Sequence, residues 1–333
     1  MKAFILDRYG AKVPLRLEER AAPELREDEV LVEVHAAAVN LLDSMIRRGE
    51  FKAILPYRAP FVLGHDLAGV VVGVGARVSG FKPGDEVYAR PSDHHIGAFA
   101  ELIAVPERDL ALKPKGLSME QAASMPLVAL TAWQALVERG QLKRGQKVFI
   151  QAGSGGVGTI AIQLAKHLGA TVATTTSTSN VELVRSLGAD VVIDYKKDDF
   201  ASKLSGYDLV LHSQDAKTLE KSLRVLRTGG RLVSLTGPPD PAFAEEIGAP
   251  WHVKLFMRLL SFGTRRRARA LGTEFLFLFM KASGDQLRTL AELVDAGAIR
   301  PVVDKVFPFA STNEAIAYVE TGRAKGKVVI KVK

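Results

Sequence analysis

The segment AGSGGVG at residues 152–158 narrows the folds open to this chain more than any other stretch. Gly153, Gly155 and Gly158 satisfy the spacing GxGxxG, and the flanks supply the context that spacing needs. KVFIQA, with strand character, precedes it, and VGTIAIQLAKHLGA follows with an apolar stripe at helical spacing: Val157, Ile160, Ala161, Leu164, Ala165 and Leu168. A strand that enters a glycine turn and leaves as a helix is the phosphate-binding start of a doubly wound α/β unit. Gly153 is expected to allow the tight turn, Gly155 to let backbone N–H groups approach a pyrophosphate, and Gly158 to seat the helix close on the sheet. The helix N-terminus adds partial positive charge facing the anion. Gly153, Ser154, Gly155, Gly156, Val157 and Gly158 are therefore the expected cradle, with Ser154 able to donate a further hydrogen bond.

An NAD-type site places a carboxylate at the end of the second strand, about 20 residues on. This chain has Thr174, Thr175, Thr176, Ser177, Thr178, Ser179 and Asn180 there. No carboxylate in that run repels a 2′-phosphate, and hydroxyls such as those of Thr175, Thr176 and Ser177 can donate to one. The expected cofactor is NADP(H).

From about Met125 strands and amphipathic helices alternate, the signature of a parallel sheet covered on both faces. After KVFIQA come TVATTT, VELVRSL, DVVIDY, a helix near 197–204, DLVLHS, a helix near 216–226 and GRLVSLTG, which makes five strand candidates. From Met1 to about Pro106 the texture is all-β, with EVLVEVHAAAV, AGVVVGVGARV and KPGDEVYA, and reads as a partly opened barrel. Beyond Pro238, WHVKLFMRLLSFGTRRRARALG reads as an amphipathic basic helix or helix pair running to Gly272. EFLFLFM reads as a strand apolar on both faces, suited to a core or a subunit interface, and DQLRTLAELVDAG as a helix. The tail, VVDKVFPF and KVVIKV around a helix near 312–321, returns to β texture and is expected to rejoin the first domain.

At 333 residues the chain exceeds what one hydrophobic core usually fills, which agrees with two domains. It has no cysteine, which removes disulfides, a thiol nucleophile, a CxxC redox pair and every thiolate metal site. Redox chemistry would rest on a bound cofactor. The formal charge of +8 is concentrated at Arg258, Arg265, Arg266, Arg267 and Arg269, read as a solvated helix face in preference to a nucleic-acid site. The amino terminus lacks the pattern of a secretory signal, and the apolar run from Phe275 to Met280 is too short to span a bilayer. A soluble, cytoplasmic protein without a membrane span is expected.

The ordered blocks NLLDSMIRRG from Asn40, PFVLGHDLAGVV from Pro60, GAFAE from Gly97, LTAWQAL from Leu130, AGSGGVG, LGADVVIDY from Leu187, VLRTGGRLVSL from Val225 and GKVVI from Gly326 run nearly end to end. In them the chain resembles the zinc-independent quinone oxidoreductase, or zeta-crystallin-like, branch of the medium-chain dehydrogenase/reductase superfamily. The resemblance implies a GroES-like, partly open β-barrel catalytic domain of residues 1–122 plus 300–333. It also implies a Rossmann NADP-binding domain of residues 123–299 and an active site in the cleft they form. It places Asn40 and Thr131 near the nicotinamide, and Tyr195 and Arg323 at the adenosine 2′-phosphate, with Lys325 and Lys327 as nearby cations. It further implies a homodimer through the edge strand Phe275 to Met280. Three departures stand out: Ser179 and Asn180 where many relatives carry lysine, His212–Asp215 where relatives often read DxxG, and Met45 where one relative has an active-site tyrosine.

GHD at Gly64–Asp66 resembles the GHE of zinc alcohol dehydrogenases, but the two cysteine positions of that family fall on Asn40 and Leu127. His65 alone does not make the three-ligand site a catalytic zinc needs. It is expected to be a hydrogen-bonded residue of the cleft floor, with no metal bound. Metal-free hydride delivery suits an electron-poor acceptor, either a quinone or an α,β-unsaturated carbonyl such as an enone or alkenal. Candidate catalytic residues are Asn40, Tyr57, His65 and Thr131, with Tyr57, His94 and His95 as possible proton donors. The alternatives are an enoyl-thioester reductase and a non-enzymatic NADPH-binding protein with a basic surface for nucleic acid.

Overall fold

The computed structural model describes residues 1–333 apart from 53, 54 and 56. By packing, the chain divides into two units: Met1–Leu130 with Lys281–Lys333, and Thr131–Met280.

In the first unit the alternation of EVLVEVHAAAV produces the strand Glu29–Val39, whose Val30, Val32, Val34 and Ala36 are fully buried. This strand organises the unit. It pairs antiparallel with Asp66–Val74, with Leu102–Pro106 and with Lys327–Lys331 of the tail. The sheet runs Val303–Pro308, Lys327–Lys331, Glu29–Val39, Asp66–Val74, Glu86–Ala89, Leu110–Leu112. Register shifts at Leu31/Val32 and Val34/Ala36 bend it, as bulges do. A small sheet of Arg16–Glu19, Lys2–Leu6 and Phe61–Val62 completes the β structure of this unit among the described residues. The helix Gly284–Asp295, placed by the sequence reading in the Rossmann domain, packs within this unit, where the Tyr88 hydroxyl donates to the Leu287 carbonyl at 2.6 Å.

The second unit is a parallel sheet in the order Val191–Asp194, Thr171–Thr176, Lys147–Ile150, Tyr207–His212, Leu226–Ser234, Glu274–Phe277. Its central strands Lys147–Ile150 and Tyr207–His212 are apolar and buried on both faces over most of their length, as a helix-covered parallel sheet requires. Phe149 sits at the centre, 5.0 Å from the ring of Phe200 and 6.4 Å from that of Tyr207.

Six strands are present, one beyond the five of the doubly wound reading, because Glu274–Phe277 joins the sheet in parallel. That strand is shorter than EFLFLFM. Phe277, the last residue of the strand, and Phe279 beyond it pack on Phe243 of the helix Pro241–Glu246, with ring centroids 5.1 and 5.6 Å from that of Phe243. The basic segment forms two helices, Trp251–Leu260 and Phe262–Ala270. Buried Ser261 divides them, and its hydroxyl donates back to the Met257 carbonyl at 2.9 Å. No helix among the described residues is long and apolar enough to cross a membrane.

Candidate functional site

The glycine turn is shaped by its neighbours as much as by its glycines. Its left-handed residue is Ala152, at φ 51°, so Gly153 is not there for its own backbone freedom as the motif suggests. A Cβ on Gly153 would lie 2.1 Å from the Thr174 hydroxyl, which donates to the Ile150 carbonyl at 2.6 Å. One on Gly158 would lie 2.3 Å from the Ala152 carbonyl oxygen. The turn therefore folds tightly onto the first and second strands. Gly155 differs: a Cβ there would meet only the Ala152 carbonyl oxygen at 3.3 Å, so its other side is open.

Gly155 caps the helix Gly156–His167, and the first helical bond runs from the Thr159 N–H to the Gly155 carbonyl at 2.9 Å. The N–H groups of Gly156, Val157 and Gly158 precede that bond and lie outside the helical ladder. Together with the helix dipole they form an anion cradle with little side chain in front of it. This is the arrangement a dinucleotide's pyrophosphate needs, and the turn fits it.

The hydroxyl run behaves differently from its sequence reading. Thr175 and Thr176 are buried, and their hydroxyls serve the turn itself. Thr175 Oγ1 accepts from the Ala152 N–H at 3.2 Å, while Thr176 Oγ1 donates to Ser154 Oγ at 3.0 Å. Ser154 Oγ also accepts from Asn180 Nδ2 at 3.1 Å, so Ser154 is a tie to the second strand. Ser177 is half-buried, 3.3 Å from Ser179.

A carboxylate does stand nearby, on the third strand: Asp194 is level with Thr176 and accepts from the Thr178 hydroxyl at 2.6 Å. That hydrogen bond holds the Asp194 carboxyl below the usual range, helped by Lys196 and Lys197. Tyr195, 61% exposed, follows it directly, and Arg323 in the other unit is also exposed. At the end of the fourth strand His212 is fully buried, with Nδ1 3.0 Å from Ser234 Oγ and Nε2 3.2 Å from the Asp215 carbonyl. The carbonyl fixes the proton on Nε2, and burial pushes the imidazole pKa down to about 4. His212 is a neutral, structural residue.

The first unit holds a second polar centre, buried throughout. Asn40 caps the helix Leu41–Arg48, and its backbone N–H donates to Asp43 Oδ2 at 2.7 Å. The other oxygen of Asp43 lies 2.6 Å from His65 Nδ1, and both residues are fully buried. Asp66, the next residue, accepts from Asn40 Nδ2 at 2.9 Å, from the Leu127 N–H at 2.7 Å and from Lys327 Nζ at 3.0 Å. Lys327 Nζ also donates to Asn40 Oδ1. The expectation of Lys327 as a cation near the cofactor phosphate is thus corrected: it is buried, and its charge is spent on Asp66. Lys325 is exposed.

Among the buried side-chain atoms of this unit that lack a hydrogen-bond partner among the described residues are His65 Nε2 and the Tyr57 hydroxyl, with Ser44 Oγ, Arg47 Nε and Arg90 Nε. Asp43 accepts from Nδ1–H of His65 and so fixes the orientation of the ring. The Tyr57 ring lies 5.1 Å from that of Phe61, and burial, with Asp93 adding to it, raises the phenol pKa far above its ordinary value. His95 is tied to Ser92 Oγ at 3.0 Å and lies 3.5 Å from Glu29, while His94 is exposed. Thr131 is buried in the helix Pro126–Trp133. Asp43 and Asp66 went unread in sequence, although Asn40 and Asp43 stand at the spacing of a capping box. Among the described residues no three His, Cys, Asp or Glu side chains are grouped to hold a metal ion. The donor set around His65 fits zinc poorly, because the lysine ammonium already neutralises Asp66.

Comparison with known proteins bears on both units. Residues 26–115 match the alcohol dehydrogenase GroES-like domain, and residues 187–330 match the zinc-binding dehydrogenase domain. Among similar proteins is the chloroplastic NADPH-dependent alkenal/one oxidoreductase of Arabidopsis thaliana, 39% identical over 99% of this chain and 79% of its own length. Among solved structures, the quinone oxidoreductase from Coxiella burnetii superposes with a TM-score of 0.86 at 31% identity, covering 100% of this chain and 99% of that one. A mycobacterial protein solved in complex with NADPH matches with a TM-score of 0.83 at 28% identity over 100% of both chains.

Proposed function

The chain belongs to the quinone oxidoreductase branch of the medium-chain dehydrogenase/reductase superfamily and is an oxidoreductase; from that premise we propose that it reduces quinones or α,β-unsaturated carbonyls with NADPH and without a metal. The observation that carries the reading is the turn at 152–158, open at Gly155 and backed by three N–H groups outside the helical ladder. When bound, NADPH supplies a hydride from its nicotinamide. The chain's own contribution is positioning and electrostatics.

Gly156, Val157 and Gly158 hold the pyrophosphate through backbone N–H groups. Tyr195 and Arg323 recognise the 2′-phosphate, a task for which a phenol and a guanidinium fork are suited. Lys196 and Lys197 offset part of the Asp194 charge that would otherwise repel that phosphate. Thr131 serves the nicotinamide end. Asn40 acts with Asp66 and Lys327, since both ends of its amide are already engaged by them.

Reduction of an enone or quinone leaves an oxyanion that needs a proton. Asp43 orients the His65 ring through Nδ1. Tyr57 is the donor of this reading, because its buried, protonated hydroxyl has no hydrogen-bond partner among the described residues. Tyr57→Phe is expected to slow turnover roughly a hundredfold with little change in KM for NADPH. Unchanged turnover would remove Tyr57 from the mechanism.

The alcohol-dehydrogenase type of zinc site is replaced here by internal charge: Lys327 neutralises Asp66, and His65 is engaged by Asp43. The free edge of the strand Glu274–Phe277 supports pairing of two copies across a two-fold axis. The test is oxidation of NADPH and of NADH with a quinone, a short enone, an alkenal and an enoyl thioester, before and after chelation. The reading expects NADPH to be oxidised by the quinone or the enone with equal rates after chelation. An enoyl thioester turned over faster than every other acceptor would move the substrate to the alternative class.

A further inference from the structure

The oxidoreductase chemistry leaves one surface of the second unit unused. Trp251 is 76% exposed, Phe256 64% and Leu259 66%, and Leu255, Leu260 and Phe262 are exposed beside them. In a helix of 3.6 residues per turn, Trp251, Leu255, Phe256, Leu259 and Leu260 share the outward arc. Val253 and Met257 turn inward onto Phe243 and Ala244. The outward arc therefore has no role in the core of this unit.

Its charge is as one-sided as its apolarity. Lys254, Arg258, Arg265, Arg266, Arg267 and Arg269 lie between Trp251 and Thr273, a stretch with no Asp or Glu. Arg267 pairs with Glu220 of the neighbouring helix Ala216–Val225. Arg258, Arg266 and Arg269 are exposed. Bulky apolar side chains on one arc with cations along their border are the composition of a helix that lies in the headgroup region of a bilayer. A patch of this kind is larger than scattered surface hydrophobics require.

We propose that the helix pair Trp251–Leu260 and Phe262–Ala270 is a docking surface for an anionic lipid membrane. Trp251, Leu255, Phe256 and Leu259 enter the boundary between headgroups and acyl chains, and Arg258, Arg266 and Arg269 meet lipid phosphates. Charge complementarity selects this occupant over a second copy of the chain. A two-fold pairing of the patch would set its cations against their own images with no carboxylate in the segment to separate them. The helices lie on the surface and do not span it.

The experiment is flotation of the full-length protein with vesicles of phosphatidylcholine alone and of phosphatidylcholine with phosphatidylglycerol. Binding is expected to the anionic vesicles only and to weaken as salt rises. Phe256→Asp with Leu259→Asp is expected to lower the partition coefficient by roughly tenfold or more, and Arg258→Ala or Arg266→Ala by about fivefold each. Because these side chains are exposed, thermal melting is expected to be unchanged. If the double variant melts early, Leu255→Ser with Leu259→Ser takes its place. The proposal is overturned by absent or charge-independent flotation, or by variants that float like the parent. It is equally overturned by light scattering that shows a dimer which the double variant converts to monomer, since a second copy would then cover the patch.

Discussion

The turn at 152–158 presents a ligand with backbone N–H groups and clears side chains from their path, whereas the centre around Asp66 has polar side chains satisfying one another away from solvent. In the first, Gly155 faces open space and the charge to be met belongs to the ligand. In the second, the charges of Asp66 and Lys327 already meet at 3.0 Å. The two differ in what a single substitution can do. A backbone cradle fails when something is added, and a buried ion network fails when something is removed.

The largest expected effect is on the network. Lys327→Met or Asp66→Asn leaves the other partner buried without its counter-charge and is expected to cost about 3–5 kcal/mol in urea unfolding. The pair Asp66→Leu with Lys327→Met is expected to recover much of that loss. If each single variant unfolds like the parent, the network is not a structural centre.

Next is His212, a buried polar residue within the second unit and so a case that blurs the comparison. Its folded pKa is about 4, against 6.5 for the free side chain. The unfolded chain therefore binds the extra proton first as pH falls. Stability is constant above about pH 6.5 and is lost between there and about pH 4, by up to about 3 kcal/mol. His212→Gln is expected to flatten that part of the profile. An equally steep profile in the variant would assign the loss to other groups.

Addition to the cradle follows. Gly158→Ala drives a methyl to 2.3 Å from a backbone oxygen, and NADPH affinity by fluorescence titration is expected to fall roughly a hundredfold. Affinity like the parent's would mean that the turn does not hold the cofactor. The smallest effect belongs to the periphery: Arg323→Ala is expected to reduce the preference for NADPH over NADH by about tenfold. An unchanged preference would place 2′-phosphate recognition elsewhere.

Legibility in sequence follows the same division. The turn was readable because its strand, glycines and helix are contiguous, and the parallel sheet because its strand segments alternate with amphipathic helices at regular intervals. What the turn motif hid was local crowding. Ala152 takes the left-handed conformation without being glycine, and Thr175 and Thr176, read as phosphate donors, are consumed in bracing the turn. Asp194 escaped notice because its position beside Thr176 comes from strand pairing and not from sequence distance. The buried network was hardly readable at all. Lys327 reaches Asn40 across 287 positions, and a lysine in a tail of β texture looks like a solvated cation until the strands Glu29–Val39 and Lys327–Lys331 are paired. The basic helix segment was read correctly as helical, but its outward apolar arc becomes visible only when Val253 and Met257 are seen to face inward.

The most direct test is the steady-state oxidation of NADPH by a quinone and by a short enone, with chelated parent protein and Gly158→Ala side by side. The account predicts turnover in the parent that survives chelation and is lost in the variant at cofactor concentrations that saturate the parent. It is contradicted if no acceptor oxidises NADPH or NADH, or if chelation abolishes turnover and zinc restores it.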